Sequence, residues 1–368
     1  MKPRLLYVSP VLPALAGNGL AIRAGNVLRA LAEHYRVYLH VLPLYARWDE
    51  SLAPQLATLC EEVSEGPAVP AEAFEVVHVL RLAALPYARR ATADERHIDL
   101  DDVEPKTYRR LAALHRLLGD QEAAGRMEAE ARLYEPLQEE VLDSWQRVYV
   151  CSEDDRLELA GRGAEVRVLP NVVEVASPRE RTRADGPFTF LFVGTLGYFP
   201  NQDGLRWFRA AVLPELRAIA PTPFRLVVVG GDGPSEAETE FAGRVPEVGP
   251  WYEGADAAIV PLRAGGGTRI KILEAFAHSV PVVSTPLGAE GLDVEDERHL
   301  LLAESPAGFA RRCAELIASP ALALRLAEEA YRLTETAYSP AAAARAVAPA
   351  GARPRSAGPA DVAPQRPS

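Results

Sequence analysis

The sequence predicts an α/β protein of two doubly wound domains facing a central cleft, each a parallel sheet covered by helices. Three observations carry this. Short β-branched apolar runs recur along most of the chain, charged helical stretches alternate with them, and one charge- and proline-rich break near the middle divides them into two series. A length of 368 residues suits two domains of ordinary size.

The first series opens with Leu5–Ser9, a compact apolar run ending in a proline-containing turn. The loop Gly17-Asn18-Gly19 and a helical pattern through Ala30 follow, with Ile22, Val27, Leu28 and Leu31 at mixed three- and four-residue spacing. Val37–Val41 is the next strand, giving the order β-α-β. Further β-branched runs lie at Phe74–Val79, Val148–Ser152 and Val166–Pro170, interleaved with helical stretches around 105–118 and 121–143. The segment from Glu174 to Pro187 has no apolar periodicity and marks the break. Residues 1–174 thus form one domain, 175–187 a linker and 188–338 a second domain. That second domain has strands at Phe188–Val193, Phe224–Val229, Ala257–Pro261 and Val280–Ser284, and two amphipathic helices over 306–337. Residues 339–368, rich in alanine, proline and arginine, read as a largely disordered tail.

A formal net charge of −11 with no basic domain argues against nucleic acid as a partner. Cys60, Cys151 and Cys313 are far apart and in no metal-binding pattern, so neither a disulfide framework nor a zinc site is expected, and a reducing compartment fits. The N-terminal apolar run is short and broken by Pro10 and Pro13, and no run approaches the roughly twenty residues that span a bilayer. The expected location is the cytoplasm. Peripheral contact with the inner membrane face is a further option, because KTYRRLAALHRLL at 106–118 is basic and amphipathic, although an ordinary surface helix explains it equally well.

The chemistry concentrates in Pro261–Leu292. No GxGxxG follows the first strand and no GxxxxGK[ST] occurs, while Gly230-Gly231-Asp232-Gly233-Pro234 suits a turn. In contrast, Gly265-Gly266-Gly267 precedes Thr268, read as an N-cap, and a helix to about His278. Glycines admit close backbone approach, and a helix start offers free N–H groups to an anion. Lys271, Glu274 and His278 share one helix face, beside an apolar stripe of Ile270, Leu273 and Ala277. Arg269 and Lys271 then suit a diphosphate, and Glu274 a ribose diol; the alternative is an ordinary surface ion pair between Lys271 and Glu274.

FLFVGTLGYFPNQDGLRWF at 190–208, GADAAIVPLRAGGGTRIKILEAFAHSVPVVSTPLGAEGL at 254–292, and VYVCSEDDRLELAGRG with VRVLPNVV resemble family 4 glycosyltransferases. The resemblance spans nearly the whole ordered chain and is densest over 148–305. It implies a GT-B fold of two Rossmann-like domains: an acceptor-binding one and a nucleotide-sugar-binding one. It also implies retention of configuration and a donor site at Gly194, Thr195, Gly265, Gly266, Gly267, Thr268, Ile270 and Glu274. Two departures stand out. Of the family's Glu-x7-Glu pair, Glu274 holds the second position, but the first, which meets the sugar ring, falls on Gly266. Thr195-Leu196-Gly197-Tyr198 stands where many members carry a basic residue, leaving Arg269 and Lys271 as catalytic cations for the diphosphate.

Such families place a histidine late in the first sheet, and the corresponding HIDLDDVEP offers His97, Asp99, Asp101 and Asp102. Asp101 or Asp102 would serve in catalysis by holding the acceptor hydroxyl or stabilising positive charge on the sugar; alternatively these acids favour the start of the next helix. His78 reads as a core histidine. The Gly17-Asn18-Gly19 loop, with His97, is the candidate acceptor side of the cleft, or a plain flexible turn.

The expected function is metal-independent transfer of a sugar from a nucleoside-diphosphate sugar, a co-substrate with no other cofactor, to a saccharide, lipid-linked or small-molecule hydroxyl. An enzyme of hexosyltransferase type is implied. Asp99-Leu100-Asp101 spells DxD but is remote in sequence from the donor motif, and no metal ligand is assigned. A nucleotide-sugar epimerase or pseudo-glycosyltransferase on the same fold, and a non-catalytic nucleotide-sugar-binding partner protein, are the alternatives.

Overall fold

A computed structural model describes residues 2–45, 52–175, 186–234, 238–267 and 269–349. Residues 176–185 of the expected linker, residues 350–368 of the expected tail, and Thr268 lie outside the described residues.

The first sheet contains β1 (Arg4–Ser9), β2 (Arg36–Val41), β3 (Cys60–Glu65), β4 (Ala73–Leu80), β5 (Thr92–Asp99), β6 (Arg147–Val150) and β7 (Glu165–Val168) in the order β3-β2-β1-β4-β5-β6-β7. The second contains β8 (Phe188–Val193), β9 (Phe224–Val229), β10 (Thr239–Gly243), β11 (Ala257–Val260), β12 (Val282–Ser284) and β13 (Leu301–Leu302) in the order β10-β9-β8-β11-β12-β13. Strand pairs in both sheets are parallel. Parallel sheets are covered on both faces, which is why the central strands read as continuous apolar runs. In β1, Leu5 and Tyr7 enter one core cluster while Leu6 and Val8 enter the opposite one. In β8, Phe188, Phe190 and Phe192 face one cluster and Leu191 the other. The architecture is the expected pair of doubly wound domains.

The helices that matter to the cleft are α1 (Gly19–Ala32), α2 (Glu104–Leu117), α3 (Gln121–Ser144), α4 (Phe199–Trp207) and α5 (Ile270–Ala277). Helix α2 lies between the domains: its Leu111 and Leu114 pack with Ala264 of the second domain, and Phe199 packs against the same group. His115 stacks on Phe199 with ring centroids 4.1 Å apart. Part of the amphipathic face of α2 thus packs on the second domain, while Leu117 and Leu118 at its end stay exposed. No helix among the described residues is long and apolar enough to cross a membrane.

Strands β3, β5, β10 and β13 escape the sequence patterns. β5 is central, yet its sequence TADERHID is mostly polar. Its polar groups find partners across the sheet: the Arg96 N–H donates to Gln146 Oε1 at 2.8 Å, and Glu95 pairs with both His97 and Arg147.

The chain end also departs from expectation. Beyond α6 (Pro306–Ala318) and α7 (Pro320–Ala337), residues Pro340–Ala346 form a helix, α8, rather than disordered tail. It returns to the first domain, where Ala343 and Val347 join the core cluster that contains β1 and α1 residues. His34 Nε2 lies 2.8 Å from the Ala344 carbonyl oxygen. Alanine-rich composition alone misleads here, since small residues are what let α8 sit closely on α1. Val347 is 1% exposed, so Val347→Asp, which buries an unpaired charge, is expected to destabilise the first domain by about 3 kcal/mol. Thermal unfolding of the variant against wild type checks this.

Candidate functional site

The turn before α5 is built by glycine. Gly265 (φ 121°) and Gly267 (φ 66°) hold left-handed backbone that disfavours other residues. The helix begins at Ile270 with Arg269 in the N-cap position and no side-chain cap bond, so the start lies later than the expected cap at Thr268. The free N–H groups of the first turn accordingly have no side chain of Arg269 covering them.

Arg269 folds back over this turn. Its Nη1 donates to the Gly266 carbonyl oxygen and, at 2.7 Å, to that of Gly267. The residue is only 8% exposed, yet Nε and Nη2 have no protein partner among the described residues. Buried guanidinium N–H groups are rarely left unpaired, and an anion would satisfy them. Lys271 lies on the first turn of α5. Its Nζ donates to Asn201 Oδ1 at 2.7 Å and sits 5.2 Å from the Phe192 ring centroid. A Cβ on Gly194 would stand 2.8 Å from that Nζ, so the bare backbone after β8 makes room for the ammonium. Burial, and then the Arg269 charge, pull the Lys271 pKa down to about 7. Two cations thus converge beside a helix start and a glycine turn, which is an anion site in its charge, shape and free donors.

Glu274 lies one turn further along. The Tyr252 hydroxyl is within 3.2 Å of Glu274 Oε2 and 3.0 Å of the Lys271 carbonyl oxygen. Burial raises the Glu274 pKa, with Tyr252 and Lys271 opposing. The carboxylate borders a cavity of about 520 Å³ between the domains, whose other walls include Ile22 and Asn26 of α1 and Val248 and Ile270. His278 ends α5, its ring stacked on Tyr252 at 5.4 Å.

Across the cleft, a Cβ on Gly19 would lie 3.8 Å from Ile270 Cδ1, so the 17–19 loop faces the start of α5. The Asn18 side chain is occupied locally: it caps α1 by accepting from the Ala21 N–H at 2.9 Å. His97 is not on a cleft loop. It is 1% exposed inside β5, bonded to Glu95 at 3.0 Å, with burial pulling its pKa down to about 4. His78 is a core residue beside Tyr7 and Tyr149.

The acids after β5 separate by partner. Asp99 is fully buried and accepts a bidentate pair of bonds from Arg23 at 2.8 and 2.9 Å. Asp101, in left-handed backbone at φ 56°, pairs with Arg81 at 3.3 Å and accepts from the Cys151 thiol at 3.4 Å. The DxD pair is thus committed to guanidinium and thiol groups. Asp102 accepts from Thr107 Oγ1 at 2.5 Å and lies 3.7 Å from Arg81 Nη1. Gly266 closes directly against it: a Cβ there would overlap both Thr107 Oγ1 and Asp102 Oδ1. Arg110 of α2 completes the contact, donating bidentately to Glu290 and at 3.4 Å to the Gly265 carbonyl oxygen.

Asn201, Tyr252, Arg81, Thr107 and Arg110 thus contribute to the cleft although sequence reasoning gave them no role. For Asn201 the Pro-Asn-x-Asp run was an available signal; the others have none at motif level.

Residues 187–319 match the family model described as Glycosyl transferases group 1. That span holds the second sheet, the glycine turn and both cations. The whole chain resembles solved two-domain structures: sucrose-phosphate synthase from Thermosynechococcus elongatus (15% identity, 94% of this chain and 97% of that one, TM-score 0.66); the Anabaena protein HepE in complex with UDP and glucose (12% identity, 93% and 97%, TM-score 0.61); and WaaG, a glycosyltransferase involved in lipopolysaccharide biosynthesis (13% identity, 93% and 99%, TM-score 0.59). At these identities the likeness shows the fold, which is GT-B. No curated protein sequence matches the chain.

The depressed Lys271 pKa carries a signed expectation. With the folded value near 7 against an ordinary 10.5, the unfolded chain binds the extra proton between those limits, so folding stability should rise with pH across that window. Anion affinity should run the other way, since a neutral amine attracts no phosphate. Affinity for sulfate, an anion that does not titrate in this range, measured from pH 6 to 9 is expected to weaken above pH 7 by up to about tenfold per pH unit, and Lys271→Arg is expected to flatten that slope.

Proposed function

We propose that the protein is a glycosyltransferase using a nucleoside-diphosphate sugar, transferring the sugar to a hydroxyl of a saccharide, lipid-linked or small-molecule acceptor with retention of configuration. The observation that carries this reading is the buried Arg269 guanidinium, whose Nε and Nη2 have no partner among the described residues, beside Lys271 at the head of α5. The GT-B fold, the group 1 match and neighbours that bind UDP with glucose support it. WaaG supports the inclusion of lipid-linked acceptors among the candidates.

In this reading the diphosphate lies on Arg269, Lys271 and the N–H groups opening α5, against the backbone at Gly194, Thr195 and Gly265–Gly267, and Glu274 accepts from the ribose hydroxyls. The bond between the anomeric carbon and the diphosphate oxygen breaks, and the acceptor oxygen forms its bond on the same face. The acceptor proton passes to the departing phosphate oxygen. Negative charge grows on the diphosphate, so cations fixed there stabilise the transition state more than the ground state. They take the part that a divalent ion performs in other transferases. The loop 17–19 and the Asp101–Asp102 turn border the acceptor side.

Lys271→Ala is expected to lower transfer by about a hundredfold or more while leaving thermal stability near or above wild type, because a buried cation is removed. Product analysis after incubation with UDP-glucose alone, and with an acceptor mixture, checks the reading. Transfer or slow hydrolysis that disappears in the variant supports it; an altered nucleotide sugar formed without acceptor would identify an epimerase, and binding without turnover across acceptors a non-catalytic binding protein.

A further inference from the structure

Four carboxylates crowd the carboxyl end of β5, and their partners differ in kind. Asp99 is consumed by Arg23. Asp101 is shared among Arg81, Arg23 and the Cys151 thiol. Glu104 is 3% exposed, with burial pushing its pKa up to about 8 against the pull of Arg81. Asp102 keeps a partly open carboxylate, its side chain 13% exposed, and it meets the second domain at Gly266.

The contact has a specific shape. The direction in which a side chain would leave Gly266 is the direction in which the Asp102 carboxylate and the Thr107 hydroxyl arrive. Thr107 and Arg81 bind the carboxylate on two sides, so its orientation is fixed, while a carboxylate has about four acceptor positions and these two partners leave capacity for more. Tyr198 ties this group to the anion site. A Cβ on Gly265 would lie 3.2 Å from Arg269 Nη2 and 3.6 Å from the Tyr198 hydroxyl. Arg269, with Nε and Nη2 unpartnered among the described residues, Tyr198 and Asp102 therefore surround one end of the glycine turn.

Resting on the donor reading above, we propose that Asp102, reaching from the first domain into the gap at Gly266, accepts hydrogen bonds from hydroxyls of the transferred sugar and so determines donor-sugar recognition. The nucleotide half of the donor is held by the second domain, and the sugar half is read by the first. The sugar then becomes fully bound only when the two domains are together.

Titration calorimetry with UDP, GDP, dTDP and ADP, each free and as its glucose conjugate, tests this on wild type and Asp102→Asn. In Asp102→Asn, which preserves size and the Thr107 contact, the preferred free nucleotide should bind within about twofold of wild type, while its glucose conjugate should lose about tenfold or more. A merely structural role would weaken both ligands together; that result, or an unchanged ratio of the two affinities in Asp102→Asn, overturns the inference with the donor reading intact. If wild type binds none of the nucleotides or conjugates, the donor reading fails and this inference with it.

Discussion

The buried ion pair between Arg23 and Asp99 sets the geometry on which the first domain's side of the cleft depends. Neither side chain reaches solvent, and the pair joins α1 to the end of β5, with Arg23 also reaching Asn171 at 3.4 Å. Two desolvated charges in good bidentate geometry contribute little net stability, but removing one strands the other at a cost of roughly 3–5 kcal/mol. The positional consequence outweighs the energetic one. Asp99 Oδ1 also accepts from the Asp101 N–H at 3.0 Å, which holds the left-handed turn at Asp101. That turn directs Asp102 across to the second domain rather than into its own sheet. A small chain of polar contacts thus carries the order of the first core out to the cleft surface.

The opposite wall is organised by the reverse means, through what is left out. Three glycines and the bare backbone at Gly194 make room for the cations at the head of α5 and for the Asp102 and Thr107 side chains that close on the turn from the first domain. Arg269 and Lys271 are held near one another at the head of α5, and burial first, then the Arg269 charge, depress the Lys271 pKa. Like charges forced together in a poorly solvated place store an affinity for anions. The rest of the second domain, with its phenylalanine-lined core under β8, supplies the rigidity that keeps them there.

Much of this was legible in the sequence, for physical reasons that differ from element to element. β1, β8 and β9 were readable because both faces of each are buried, so hydrophobicity runs unbroken. β5 was not, because its stability comes from polar partners such as Gln146 and Arg147 that no local window contains. Helix α5 and its glycine turn were visible as a motif, although the helix starts at Ile270 rather than after Thr268. Gly266 was visible as a departure, but what fills its space was not, because Asp102 and Thr107 belong to the other domain. His97 misled because a histidine near a strand end reads alike whether it faces a cleft or a core. The alanine-rich α8 misled because low variety in composition hides a well-packed small-residue face.

The return of α8 to the first domain has a mechanical consequence. The chain passes from one domain to the other near Val172–Val173 and comes back at Tyr338–Ser339, and the two passages are fastened together where the Val173 N–H donates to the Tyr338 carbonyl oxygen at 3.0 Å. Val172 belongs to the first-domain core, whereas Val173 and Tyr338 pack into the second. Two covalent tethers pinned side by side suppress sliding and twisting of one body against the other. The motion such a pin restrains least is rotation about a single axis through it, like a page turning on its spine.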